Sequence, residues 1–285
     1  MKKLITLMVC ACLASGASIS AQNNESSFWG SKKIVASNNY VTKSIRVDNF
    51  NAINAAGSFN VTFIQRDGRP EVIVNTSDNI VDLLNIAVKN GTLTVNFKKN
   101  VNVSYKKLDV TVYAKDVNRF SLAGSGDFNI KDGLKTNSDV SLSLAGSGDF
   151  NAGSLKCGNL NVSLAGSGDM GVVNVACGNL MVRIAGSGDI NVKGITADNT
   201  EVSVAGSGDI VLIGVTSTAQ YSIAGSGDIS AKALEAKRVS ASTTGSGDIT
   251  CFASEYLKVR ASGSGTVGYK GNPQIDYPGK KLYKL

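Results

Sequence analysis

Seven aspartates recur along this chain at nearly constant spacing: Asp127, Asp149, Asp169, Asp189, Asp209, Asp228 and Asp248. Each closes the same phrase, an aliphatic residue followed by Ala-Gly-Ser-Gly-Asp, except that the last copy reads Thr244-Gly245-Ser246-Gly247-Asp248. A regular column of carboxylates beside Ser hydroxyls suits two kinds of chemistry. One is Ca²⁺ binding, since calcium takes several oxygen ligands, carboxylates among them. The other is cleavage of glycosidic bonds, which uses a pair of carboxyl groups. That pair must sit in unequal environments that push the two pKa values apart, and a uniform column works against it. The chain has no His, so His bases, His triads and typical metal centres are excluded. Gly-Ser-Gly-Asp has neither the Gly-x-Ser-x-Gly spacing of a nucleophile elbow nor the Gly-Lys-Ser/Thr of a phosphate loop.

The elements that hold the aspartates follow from the period. The first Gly of the phrase falls at 124, 146, 166, 186, 206, 225 and 245, with a worn copy at Gly263. A period of about 20 over eight copies marks a solenoid, in which each coil buries its apolar side only by stacking on its neighbours. Within one coil Leu160, Val162 and Leu164 alternate with Asn161 and Ser163, as in a half-buried strand. Met170, Val172 and Val175 then face inward, as do Ile190, Val192 and Ile195 in the next coil and Ile210, Leu212 and Val215 in the one after. Stacking at ~4.8 Å per coil gives a rod on the order of 35 Å long. Ala-Gly-Ser-Gly makes the corner, where Gly allows tight backbone approach and Ser or Asp satisfies local N–H groups. Aspartates stacked at that rise repel by roughly 1 kcal/mol per pair even in water. The column therefore needs backbone N–H donors or cations to offset it.

Residues 1–21 read as a secretory signal peptide, with Lys2-Lys3, an apolar run Leu4–Leu13 and small residues up to Ala21. Val9-Cys10-Ala11-Cys12 leaves lipoprotein processing as the alternative. Residues 22–39 form a flexible leader, 40–118 an N-terminal β region of larger coils or a cap, 119–270 the regular solenoid and 271–285 a C-terminal cap or tail. Asn90-Gly91 between two alternating runs predicts a hairpin, and Ser77-Asp78-Asn79 a short helical turn through Leu83-Leu84. The formal charge is +7, without Arg-rich runs interleaved with aromatics, which excludes nucleic acid as a natural partner. No apolar run after the signal is long enough to span a membrane as a helix. The mild basic excess favours acidic glycans or envelope lipids. Lys131, Lys156, Arg183 and Lys193 point outward.

Beyond the signal there are three Cys. Cys157 and Cys177, each in Cys-Gly-Asn-Leu, stack one coil apart in a column of small residues continued by Ala197, Ser217 and Ala236. Cys251 occupies the inward slot of Ile130, Ala152, Val172, Val192, Leu212 and Ala231, where a thiol behaves as a small hydrophobe. Parallel stacked Cβ vectors disfavour a Cys157–Cys177 disulfide, and three Cys without His disfavour zinc.

The repeated Ala-Gly-Ser-Gly-Asp coils resemble the head GIN domain family of auto-transporter adhesins. Phe50-x-x-Ile53, Gly57-Ser58, Val61-x-Phe63-Ile64-Gln65, Asn79-Ile80, Asn90-Gly91-Thr92-Leu93-Thr94-Val95 and the closing Tyr269-x-Gly271-Asn272-Pro273 carry the resemblance over about residues 40–275. It implies an all-β right-handed β-helix, exported to the periplasm, outer-membrane surface or extracellular space of Bacteroidota-type bacteria. It also implies a non-enzymatic binding or adhesion module for a glycan or an envelope protein, and it brings no site residues. A pectinase-like β-helix enzyme is the alternative. The oligomeric state and the ligand stay open.

Overall fold

The computed structural model describes residues 33–285. The expected signal peptide, and the leader up to residue 32, lie outside the described residues. Among the described residues no helix is long and apolar enough to cross a membrane.

The chain winds into a β-solenoid of about eight turns. Each turn has a leading strand that ends at the first Gly of the corner and a trailing strand that starts near the Asp. The leading strands Arg119–Gly124, Val140–Gly146 and Asn159–Gly166 pair in parallel, residue for residue, and later coils continue them without a slip at the corner. Gly124, Gly146, Gly166, Gly186, Gly206, Gly225, Gly245 and Gly263 thus stand one above the other. Inward positions repeat as apolar columns such as Leu122, Leu144, Leu164 and Ile184, all buried. Phe128 and Phe150 stack face to face at 4.8 Å, one coil apart.

The corner is built by close approach. The N–H groups of Ser187 and Gly188 both donate to the carbonyl of Gly166 in the coil below, at 2.9 and 3.2 Å. A Cβ on Gly186, where φ is +142°, would stand 2.2 Å from that oxygen, and one on Gly188 would stand 1.9 Å from the oxygen of Gly168. Only Gly fits both places.

The N-terminal region joins the same sheet by a different route. Ala52–Gly57 and Asn60–Gln65 form a coil in register with the next, Gly57 pairing with Gly124 although 67 residues separate them. Between these coils the chain leaves and returns. Thr92–Phe97 and Leu108–Ala114 add an outer parallel layer. Antiparallel strands then close it: Leu84–Lys89 on one side, Glu71–Ser77 and Tyr40–Arg46 on the other. Asn90 and Gly91 take positive φ at the expected hairpin, and Val81–Leu83 forms a single 3₁₀ turn. Residues 33–39, assigned to the flexible leader by their polar sequence, are instead tied down. Lys33–Val35 pairs with Asn102–Ser104, and Ser37 bonds to Asp78 and Asn79. At the other end, Gln274–Asp276 and Leu282–Lys284 pair in parallel with 256–258 and 267–269, so the tail adds further strands to the stack.

Two inward assignments change. Val192 pairs with Leu212, but Ile195 pairs with Gly214, one residue out of step. The coil ending at Gly225 is a residue short, and a one-residue slip turns every following side chain over until the register recovers. Val215, expected inside, is 50 % exposed, and Thr216 rather than Ser217 continues the column of Cys177 and Ala197.

Candidate ligand-binding groove

The seven predicted aspartates do form a column at the corner. Among the described residues, six of its seven carboxylates, all but Asp149, accept a backbone N–H. Oδ1 of Asp127 accepts from the N–H of Asp149 at 3.2 Å, and the same bond links Asp169 to Asp189, Asp189 to Asp209, Asp209 to Asp228 and Asp228 to Asp248 at 3.1 to 2.7 Å. Asp248 accepts from both the N–H and the hydroxyl of Thr266. Asp149 and Asp169 are neighbours through strand pairing. At the N-terminal end Asn60 Oδ1 takes the place of a carboxylate and accepts from the Asp127 N–H. A carboxylate that accepts an amide proton makes a charge-assisted bond, so N–H donors offset the like-charge repulsion. Among the described residues no three His, Cys, Asp or Glu side chains converge on a point where they could hold a metal ion.

A second column runs along the start of the leading strands. The amide of Asn159 donates to Asp139 at 2.8 Å, that of Asn179 to Asn159 at 2.6 Å and that of Asn199 to Asn179 at 2.9 Å; Thr218 Oγ1 donates to Asn199. This ladder lines a groove of about 880 Å³ that follows the outer face of the leading strands from Arg119 to Lys258. Eight coils contribute, which at ~4.8 Å per step makes it about 34 Å long.

The lining is mostly uncharged in the middle: Ser141, Asn161, Gln220 and Ser240 stand beside the Asn ladder, Met181 and Ala219 lie among them, and the apolar share of the exposed wall is the larger. Oδ1 of Asn118 and of Asn161 is buried without a donor, a state that costs about 1–3 kcal/mol; rotation of either amide into the groove would present it to a ligand hydroxyl. Glu201 is held by Arg183 at 3.2 Å. At the C-terminal end the Arg238 guanidinium lies 5.3 Å over the ring of Tyr256. The Tyr256 hydroxyl donates to Asp276 at 2.9 Å, which raises its pKa above the usual phenol value.

A family model described as "putative auto-transporter adhesin, head GIN domain" matches residues 49–210 and 171–273. The chain belongs to this family. Solved structures similar to this head GIN chain include several from Bacteroidota. One, called a putative lipid binding protein of Parabacteroides distasonis, is 28 % identical over 89 % of this chain and 97 % of its own, with a TM-score of 0.64. A putative adhesin of Bacteroides fragilis is 29 % identical over 88 % of this chain and 95 % of its own, at 0.51. A putative adhesin of Parabacteroides merdae, 24 % identical over 89 % and 95 %, shares the fold at 0.69. No curated protein matches.

The groove of this head GIN chain was not singled out from sequence, where the conspicuous repeat is the corner. The repeated Cys-Gly-Asn-Leu at 157–160 and 177–180 was the one signal for its Asn ladder. Lys131, Lys156, Arg183 and Lys193 are exposed as expected, and only Arg183, through Glu201, reaches the groove wall. Cys157, Cys177 and Cys251 are free thiols. Burial pushes Cys157 and Cys251 up to about 12 and Cys177 to about 11, far from reactive thiolates.

Proposed function

We propose that this protein is a secreted or cell-envelope binding module, without catalytic activity, that lays a polysaccharide chain along the groove. The carrying observation is the groove's construction. Eight coils contribute side chains at one repeat distance, so a ligand made of repeated units of about that length meets one coil per unit along the whole groove. The amides and hydroxyls of the ladder offer hydrogen bonds to sugar hydroxyls, and the apolar wall between them suits the apolar faces of sugar rings. The adhesin-like family supports a surface or secreted location and a binding role.

The test is a length series of oligosaccharides, measured by titration calorimetry with product analysis of the same samples. Affinity should rise with each added sugar until the chain spans about 34 Å of groove and then level off, with chain length unchanged. Affinity independent of length refutes the groove reading. Shortening of the oligosaccharides refutes the absence of catalysis.

A further inference from the structure

We propose that the C-terminal end of the groove is a carboxylate subsite, built on Arg238, Tyr256 and Lys258, that makes the module select uronate-containing polysaccharide over its neutral counterpart. The inference rests on the groove being the binding surface. In one outward column Thr218, Arg238, Tyr256 and Gln274 follow one another coil by coil; in the next, Gln220, Ser240, Lys258 and Asp276 do. Between Arg119, which is bonded to Asn51 at the far end, and these coils the groove offers mostly amides and hydroxyls, with Met181 and the paired Glu201 among them; these coils offer two cations and an aromatic ring.

Their partners differ in a way that matters. Lys258 stands 3.9 Å from Asp276, which also holds the Tyr256 hydroxyl. Asp276 therefore anchors the Lys258 and Tyr256 side of the subsite. Arg238 has no carboxylate within salt-bridge distance among the described residues, and its contact is the face of Tyr256. Stacking restricts the plane of the guanidinium and leaves its edge donors free. A planar fork with free donors matches a carboxylate by two parallel hydrogen bonds. The acidic residues of the groove do not compete for it. Asp139 already accepts from the N–H and amide of Asn159, and Glu201 is paired with Arg183. The sugar ring that carries the carboxylate would then lie toward Tyr256 and Lys258, with the polymer running back along the Asn ladder.

The experiment compares a long oligogalacturonate with its fully methyl-esterified form, which keeps the backbone and removes the charge. Titration with the full-length protein should show the free acid binding at least about tenfold more tightly, the size of one charge-assisted pair. Arg238→Gln should abolish that preference and leave binding of the ester unchanged. Arg260→Gln, on the same face but outside the groove, should leave the preference intact. Equal affinity for the two forms, a preference that survives Arg238→Gln, or no binding of either form would each overturn the subsite. Asn161→Trp, which obstructs the middle of the groove, separates the two readings. If it abolishes binding of both forms and they bind the wild type equally, the groove stands and the subsite falls. If it leaves acid-selective binding untouched, the groove is not the site and both fall.

Discussion

Replacing Gly188 by Ala tests the central structural claim, that coils stack closely enough at the corner to exclude a single methyl group. The added Cβ would lie 1.9 Å from the carbonyl oxygen of Gly168, in backbone rather than in a flexible side chain. That is short of a tolerable carbon–oxygen contact by more than about 1 Å, so two coils must separate locally. Separation of that size breaks the bonds from Ser187 and Gly188 N–H to the Gly166 carbonyl. Each is worth about 1 kcal/mol net, and a buried group left unpaired costs about 1–3 kcal/mol. The expected loss is about 2–4 kcal/mol. Gly178→Ala, in the same coil, is the matched control, because its Cβ would meet nothing closer than 3.4 Å and its φ is not positive. Urea unfolding followed by far-ultraviolet circular dichroism should show a clear fall in midpoint, or a transition split at this coil, for Gly188→Ala and little change for Gly178→Ala. Equal midpoints for the two variants would show that the corner relaxes freely and that its glycines answer to something other than packing.

Asp189→Ala removes the acceptor of the Asp209 N–H and should lower the melting temperature by about 2–4 °C, whereas Asp189→Asn, which keeps an oxygen in place, should restore most of it. Because N–H donors already meet six of the seven carboxylates, a chelator should leave the melting temperature of the wild type unchanged; a fall of several degrees would assign the column to calcium. Val215→Lys should alter stability by no more than about 0.5 kcal/mol, while Ile195→Lys, which buries a charge in the neighbouring apolar slot, should cost more than about 4 kcal/mol; comparable losses would contradict the register slip. For Cys177, burial holds the proton more tightly in the folded chain than at the ordinary thiol value of 9.0. Its contribution is therefore intact below pH 9 and is lost as the pH rises toward about 11, which alkaline unfolding of Cys177→Ser against the wild type measures.

The fold was legible because one constraint repeats. Every coil must turn where Gly alone fits, so the corner reappears each time, and between corners the strands alternate with period two. What escaped the sequence was set by departures from the period. The coil ending at Gly225 is one residue short, and nothing in Ile213-Gly214-Val215 says on which side of the bend the residue is missing. The structure places the loss before Gly214, whose backbone packs against Ile195, and so Val215 turns out. Residues 66–118 hid their role for a different reason. Their strands alternate like any others, but Thr92–Phe97 and Leu108–Ala114 stack outside Ala52–Gln65 although they follow it in sequence. Local periodicity carries no information about that reversal. The aspartate column was legible as a column, and its chemistry was not, since the choice between cations and N–H donors depends on where each carboxylate points.

The same contrast bears on function. In a solenoid, a residue type repeated in every coil answers a requirement that every coil shares, which is to fold. Identical surroundings also give identical chemistry, so the aspartates at the corner cannot divide into an acid and a base as long as each meets the next amide in the same way. Discrimination between ligands has to come from positions where neighbouring coils differ. Along the corner there are almost none before Thr266. Along the groove they are frequent: the column that begins Arg119, Ser141, Asn161 continues through Met181 and Glu201 to Lys258, and the Asn ladder ends in Thr218, Arg238 and Tyr256. These coils keep the backbone repeat and vary only what faces outward. The rigid pitch set by the glycines thus makes the groove a ruler, and the irregular side chains along it are where the chain can tell one polymer from another.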